Sequence, residues 1–191
     1  MGRVAIVLGS AANALPDFEK ARALAPAAPV ICVNDSLRFC PVRPLAFATL
    51  HPEKAHTRFF LGVDFSGVQI FAHEQPIYAL RSKKHQYEWR LVPMRWKGTS
   101  GLYAGQVAIE ALGFDGVIFA GVPIDSEAGA AYDLQGKVWA NNNADRYRNG
   151  WRALPADMRA RLRSVSGWTM KFLGAPDAHW IDAVTSACAA A

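Results

Sequence analysis

Cysteine is scarce in this chain, and Cys32, Cys40 and Cys188 match neither a zinc-ligand spacing nor a C-x-x-C pattern. Three cysteines so placed argue against a disulfide framework, and a reducing cytoplasm is the simplest compartment to expect. Long apolar runs are also missing, since the first run, Val4–Leu8, is far shorter than the roughly 20 residues that cross a bilayer. We therefore expect a cytoplasmic protein with no membrane partner.

Several motifs that would identify a cofactor or a reaction are absent. The chain has neither the dinucleotide fingerprint G-x-G-x-x-G nor the Walker sequence, which excludes ordinary NAD-binding and P-loop proteins. It also lacks a nucleophile elbow and the H-E-x-x-H pair. The histidines are scattered without metal-ligand spacing, so we predict no metal site. They are His51, His56, His73, His85 and His179.

The composition is that of a folded protein with a substantial core. Of 191 residues, 51% are hydrophobic and only 19% are charged, which predicts one globular domain over residues 1–191. Lysine and arginine number 21 against 16 acidic residues. The resulting charge of +5 permits an anionic ligand without requiring nucleic acid.

Apolar runs that end in polar turns alternate with helical patterns along most of the chain. Short buried strands are predicted at 4–8, 30–33, 45–50 and 116–121, and weaker ones at 68–71 and 91–94. Helices are predicted over 16–24 and 102–112. Strands that alternate with helices predict a single Rossmann-like α/β domain, in which helices cover both faces of a mainly parallel sheet.

The C-terminal third is less regular. Small and polar residues from Asp125 onward predict a loop or lid at 126–150, and a basic helix is expected within 145–162. A short strand near Ser164 and one or two helices should follow, with Asp177 as the N-cap candidate of the last helix.

Polar turns follow four of the predicted strands, at 9–13, 34–36, 49–52 and 122–125. Because ligands bind outside the carboxyl ends of parallel strands, we expect these turns to share one binding edge. The segment 97–101 should join them, since its glycines permit close backbone approach to a phosphate and it leads into a helix. The alternative for that segment is a simple turn in which Ser100 caps the helix.

One stretch resembles a known family. Thr99 to Tyr103, Val107 to Ile109, Leu112 to Phe114 and 118–125 together resemble the motif of bacterial CMP-sialic-acid-dependent sialyltransferases, in which T-S-G-V-Y, an alanine-rich helix, L-G-Y and a strand ending S-G-I-D follow one another. The related pterin diphosphokinase-like proteins have a similar layout. The resemblance is closest over 98–125 and looser over 4–52, and it implies fold more directly than reaction.

The resemblance implies a nucleotide site at the strand ends. Gly9 and Ser10 match the family's glycine-led loop beside the nucleotide, and Asn34 matches an asparagine that contacts the donor. Gly121 and Asp125 match the end of the strand that lies next to the nucleotide.

The resemblance also implies where the donor phosphate binds. Thr99, Ser100 and Gly101 match the loop that holds the donor sugar and phosphate. Tyr132 aligns, across a one-residue gap, with a tyrosine that hydrogen-bonds the leaving phosphate, although a packed or surface tyrosine is an equal alternative.

The chain departs from the family at two catalytic positions. Glu127 stands where the family has a second tyrosine, and the segment 141–151, where its catalytic histidine is expected, contains no histidine. His51 and Asp125 are the substitute candidates for the general base. The alternative for His51 is a loop histidine that packs beside Pro52.

Two basic stretches, at 81–97 and 146–163, are interleaved with aromatic residues. Such a pattern suits single-stranded nucleic acid or a diphosphate, although a solvated surface is the commoner explanation. Arg148 and Arg152 lie four residues apart on the predicted helix, so we expect Arg148 to close over a donor phosphate.

Together these features predict a metal-independent transferase of the glycosyltransferase type. Its donor would be a CMP-type nucleotide sugar, which is itself a substrate, so no separate cofactor is expected; the sequence does not specify the acceptor or an oligomeric state. The first and last segments also resemble proteins of phages and prophages. The alternatives are a non-catalytic nucleotide-binding or assembly protein on the same scaffold, and an accessory protein that binds nucleic acid.

Overall fold

The computed structural model of the protein describes residues 3–73, 87–125 and 144–187. Within them lie seven strands: β1 (Val4–Leu8), β2 (Val30–Val33), β3 (Ala46–Thr49), β4 (Gln69–Ala72), β5 (Trp89–Leu91), β6 (Gly116–Ala120) and β7 (Leu162–Ser164). They form one sheet in the order β5-β4-β3-β2-β1-β6-β7, and every neighbouring pair is parallel. The predicted Rossmann-like α/β fold is therefore confirmed.

Six α-helices accompany the sheet in the described part of the chain, and shorter helical turns lie at Asn34–Arg38, Pro52–Lys54 and Ala55–Phe59. The α-helices are α1 (Ala14–Leu24), α2 (Ser100–Gln106), α3 (Ala144–Arg152), α4 (Ala156–Ala160), α5 (Gly167–Leu173) and α6 (Ala178–Ala187). A wider helical turn, Val107–Ala111, continues α2. Of the predicted lid at 126–150, residues 126–143 lie outside the described residues, and residues 144–150 form most of α3.

The apolar runs predicted the inner strands closely. β1 and β2 have the predicted bounds, β3 is one residue shorter at each end, and β4 begins one residue later than expected. β5, which is exposed at the sheet edge, begins two residues earlier than predicted. Burial on both faces explains this pattern, because a fully buried strand needs a continuous apolar run and an edge strand does not.

The prediction of a single basic helix within 145–162 is wrong, because two helices occupy this range. Helix α3 ends at Arg152, Pro155 adopts an extended conformation before α4, and Leu162 begins β7. A proline cannot donate the backbone hydrogen bond that would continue a helix through this point, so the chain turns and starts a second, shorter helix. Asp177 caps α6 as predicted, because its Oδ1 accepts a hydrogen bond from the backbone N–H of Trp180 at 2.7 Å.

Alternate residues of each inner strand face opposite helical layers. On one face, Ala5 and Val7 of β1 pack in a core with α2 and with Trp151 of α3. On the other face, Ile6 and Leu8 pack in a second core with α1 and α6. The sheet is thus the middle of three layers, which fixes the direction of its strand ends.

The strand order reverses at β1. From β1 the chain proceeds through β2, β3, β4 and β5 on one side of the sheet, while β6 pairs with the other side of β1. The connections that leave β1 and β6 therefore run toward opposite sides of the sheet, a topology that predicts a ligand site at this carboxyl edge. This is the place where the sequence predicts a binding edge.

Candidate functional site

A pocket of about 250 Å³ opens at this edge of the sheet. Loops that follow β1, β2, β3 and β6 line it, together with the turn before α2. Nine of the eleven predicted site residues are among the lining residues: Gly9, Ser10, Asn34, His51, Thr99, Ser100, Gly101, Gly121 and Asp125. The expected convergence of these loops is thus observed, while the roles of the residues stay predictions. Tyr132 lies outside the described residues.

Glycines bring the loops after β1 and β6 into direct contact. A side chain at Gly9 would overlap the carbonyl oxygen of Gly121, and one at Gly101 would approach Val122 Cγ1 to 2.7 Å. Gly121 has a positive φ of 66°, a conformation that glycine adopts readily. Glycine is therefore needed at these positions for the loops that line the pocket to pack closely against one another.

The buried carboxylate of Asp17 joins three loops beneath the pocket. Its Oδ2 accepts hydrogen bonds from the backbone N–H of Gly121 at 3.1 Å, from Asn13 Nδ2 at 2.9 Å and from Ser166 Oγ. The sequence marks Asp17 only as an acidic residue in the first turn of a helix. Its partners lie as far as 149 residues along the chain, so no local pattern predicts this contact.

Asn34 links the ends of β2 and β3. Its backbone has a φ of 54°, in the left-handed region that asparagine tolerates better than most residues. The hydroxyl of Thr49 donates to Asn34 Oδ1 at 2.8 Å, and Thr49 Oγ1 accepts from the backbone N–H of His51 at 2.9 Å. This chain of hydrogen bonds sets the start of the segment that carries His51.

The turn before α2 uses its hydroxyl groups to organise the pocket wall. Thr99 Oγ1 accepts a hydrogen bond from the backbone N–H of Leu102 at 3.2 Å and so caps the helix. Ser100 Oγ accepts from the backbone N–H of Leu50 at 3.2 Å. The turn is therefore attached to the end of β3, and the Ser100 hydroxyl keeps its proton for a further acceptor.

His51 is paired with a carboxylate two residues along the chain. Its Nδ1 lies 3.3 Å from Glu53 Oε1, and both side chains are about half exposed, at 48% and 42%. A carboxylate beside Nδ1 favours the tautomer in which Nδ1 carries the proton, which leaves Nε2 free to accept one. The pair has the arrangement that a general base requires.

Arg148 does not line the pocket, contrary to the expectation that it would close over a phosphate. Its Nε and Nη2 donate to the carbonyl oxygen of Ile124, and its guanidinium stacks over Trp168 at 5.3 Å. Asp125 is the nearby wall residue, and its Oδ1 accepts from the Trp168 backbone N–H at 3.0 Å. Arg148 therefore lies outside the pocket lining and stabilises the wall through its hydrogen bonds to Ile124.

Other arginines of the two basic stretches also bind their own chain. Arg161 donates to the carbonyl oxygens of Asp115 and Phe114, and Arg163 donates to that of Leu162. In the first stretch, Arg95 pairs with Glu110 at 3.2 Å. Residues 74–86 lie outside the described residues, so this account covers only part of that stretch.

Four polar or charged residues that line the pocket are not among the site residues predicted from the sequence: Asp35, Lys54, Arg58 and Tyr147. Lys54 and Arg58 both follow β3 and lie four residues apart, which is the spacing of one helical face. That spacing, directly after a predicted strand, was the available signal. Asp35 lies in the predicted turn 34–36, but nothing local predicted its pairing with Arg58, which is 23 residues away.

The described residues offer few sites of other kinds. No group of three or more histidine, cysteine, aspartate or glutamate side chains among residues 3–73, 87–125 and 144–187 is arranged to hold a metal ion. In the same part of the chain, Cys32 and Cys40 are free thiols. None of the described helices combines the length and the apolar character that crossing a membrane would require.

Comparison of the chain with known proteins identifies no relative. No protein-family model, no curated protein and no solved structure matches it. The resemblance to the sialyltransferases therefore stays a prediction that depends on the quoted motifs.

Proposed function

We propose that this protein binds a CMP-type nucleotide sugar in the pocket and transfers the sugar to an acceptor without a metal ion. One observation carries the proposal: nine residues predicted from the sequence line a single cavity at the place where the strand order reverses. Parallel α/β sheets bind nucleotides at such a point. Glycines among the lining residues, such as Gly9 and Gly101, support the same ligand class.

The proposed reaction is an inverting displacement. The acceptor hydroxyl oxygen attacks the anomeric carbon and forms a new C–O bond, while the bond from that carbon to the phosphate oxygen breaks. CMP leaves with the electron pair, and the proton of the acceptor passes to His51 Nε2. Ser100 would donate a hydrogen bond to the departing phosphate, which stabilises the developing charge.

His51 is a better candidate for the base than Asp125. Asp125 Oδ1 already accepts the Trp168 N–H and lies 3.9 Å from the Arg148 guanidinium, so this oxygen is engaged by two groups of its own chain. Glu53, by contrast, lies beside Nδ1 of His51, and that contact leaves Nε2 unoccupied. Tyr132 remains a further candidate from the sequence alone.

The test is titration of the protein with CMP and with a panel of CMP-, UDP- and GDP-sugars, together with an assay of donor hydrolysis. We expect CMP compounds to bind and to be turned over, and Ser100→Ala to weaken binding about tenfold, since a hydrogen bond to a charged group is lost. Ser66→Ala, at an exposed hydroxyl outside the pocket, is the control. Unchanged affinity in Ser100→Ala would contradict the placement of the phosphate.

A non-catalytic nucleotide-binding protein is the second candidate. The absence of histidine from 141–151, where the resembled family has its base, favours it. Binding of CMP compounds without turnover, and no effect of His51→Ala on any activity, would support this candidate over the enzyme.

A further inference from the structure

Arg58 is held in a fixed orientation at the pocket wall by Asp35. Arg58 Nε donates to Asp35 Oδ1 at 2.8 Å, and Nη2 donates to Oδ2 at 2.6 Å. The Asp35 side chain is only 10% exposed, whereas that of Arg58 is 44% exposed. A buried carboxylate thus anchors an accessible guanidinium, and both residues line the pocket.

This geometry leaves one side of the guanidinium unused. The fork to Asp35 occupies Nε and Nη2, and no residue in the described part of the chain accepts a hydrogen bond from Nη1. Because the guanidinium group is planar, fixing two nitrogens also fixes the direction of the third. The hydrogen bond to Asp35 raises the pKa of Arg58, so its positive charge is secure. An oriented, permanently charged donor pair suits a phosphate oxygen.

Two cations, Arg58 and Lys54, lie at one end of the pocket, and the Asp35 carboxylate balances the charge of one of them. Lys54 lies on the same segment after β3, and Ser100 is attached to the end of β3 through Leu50. Asp125 follows β6, and two strands separate β6 from β3. At about 4.8 Å per strand, the ends of β3 and β6 lie about 14 Å apart in the sheet. A ligand with one anionic end has a preferred direction in such a pocket.

We propose that Arg58, oriented by Asp35 and joined by Lys54 and Ser100, forms the phosphate subsite of the pocket, and that the nucleoside extends from it toward β1 and β6. The inference deepens the proposed function and rests on it for the nucleoside part. It gives Arg58 the phosphate-binding role that the sequence predicts for Arg148.

The test compares CMP with cytidine by calorimetry, because the two differ only in the phosphate. We expect the wild-type protein to bind CMP more tightly, and Arg58→Gln to weaken CMP binding about tenfold or more while cytidine binding changes less than about twofold. Arg95→Gln is the matched control, since Arg95 also pairs with a carboxylate but lies outside the pocket. An equal loss for both ligands in Arg58→Gln would mean that Arg58 only shapes the pocket, and would overturn the subsite.

Removing Arg58 alone leaves Asp35 without its cation, so the double variant Asp35→Asn/Arg58→Gln is measured as well. It replaces the ion pair by two amides, and it must lose the same preference for CMP over cytidine. A folded double variant that retains the preference would also overturn the subsite.

Inorganic phosphate separates this inference from the proposed function. Phosphate binding that depends on Arg58, in a protein that binds neither CMP nor cytidine, would support the subsite and contradict the nucleotide proposal. If neither CMP nor phosphate binds through Arg58, the subsite is wrong whatever the cytidine result.

Discussion

Arg148 Nε and Nη2 both donate to the carbonyl oxygen of Ile124, at 3.2 and 3.0 Å. Ile124 has a φ of 51°, a left-handed conformation that costs a β-branched residue about 1–3 kcal/mol. It lies on the pocket wall next to Asp125. Helix α3 thus holds part of the candidate site in a conformation that the residue would not adopt by itself, and such strain is characteristic of functional sites.

Arg148→Ala should remove the hydrogen bonds that keep Ile124 in its left-handed conformation. We expect the free energy of unfolding to fall by about 1–3 kcal/mol, because a buried carbonyl loses charged donors, and CMP affinity to fall with it. Urea denaturation and calorimetry measure the two effects. Arg152→Ala is the control. Arg152 also stacks over Trp168, at 5.6 Å, but its Nη1 donates to Asn149 Oδ1 and not to Ile124. Equal effects of the two substitutions would contradict the role of the Ile124 contact.

Gly121→Ala should be far more costly than Gly62→Ala. Both glycines have a positive φ, of 66° and 70°, so each substitution pays the conformational cost of about 1–2 kcal/mol. Nothing lies within 4 Å of a side chain at Gly62, whereas one at Gly121 would approach Ala14 Cβ to 2.6 Å. We expect Gly121→Ala to lose about 1–3 kcal/mol more in chemical denaturation, from overpacking. Similar losses would show that the loop relaxes freely.

Tyr103 should make the protein less stable at high pH. Burial raises the pKa of its hydroxyl well above the ordinary value of 10.0. This effect of burial is larger than the opposing effect of the hydrogen bond that the hydroxyl donates to the Val92 carbonyl oxygen. Above about pH 10 the unfolded chain releases this proton while the folded chain keeps it, so the stabilising contribution is full below pH 10 and falls as pH rises. The slope from this one group is at most about 1.4 kcal/mol per pH unit.

The measurement is the free energy of unfolding of wild type and Tyr103→Phe between pH 8 and pH 12. The difference between the two proteins should be constant up to about pH 10 and should then move in favour of Tyr103→Phe. A constant difference across the whole range would mean that Tyr103 ionises as easily in the folded state as in the unfolded state.

The local sequence predicted the inner strands well, because a short continuous run of apolar residues is typical of a strand that is buried on both faces. The five apolar residues of β1 predicted a strand buried on both faces, and all five are buried. The break at Pro155 was also readable in the sequence, because a proline inside a helical pattern lacks the N–H that would continue the helix, and the prediction of one helix overlooked it. Edge strand β5 begins two residues and ends three residues before its predicted bounds, because a strand of only three residues is too short for its apolar pattern to fix its position.

The candidate site was predictable in its backbone and much less so in its side chains. Turns such as 9–13 and 122–125 follow strands, and parallel strands bring their carboxyl ends to one edge whatever the side chains are. The pairs that orient the site join distant positions: Asp35 with Arg58, 23 residues apart, and Arg148 with Ile124, 24 apart. For Arg148 the local spacing predicted a ligand contact, and the fold directs its guanidinium to a carbonyl instead.

By itself, then, the sequence determined the alternation of strands and helices, the two-sided burial of the sheet and the edge at which polar loops gather, because short-range patterns of apolar, small and polar residues encode each of these. Only the tertiary structure decided which cation faces the pocket and which one supports its wall. That choice depends on the partner each guanidinium meets across the fold, and a buried carboxylate at Asp35 or a strained carbonyl at Ile124 exists as a partner only after the sheet has assembled.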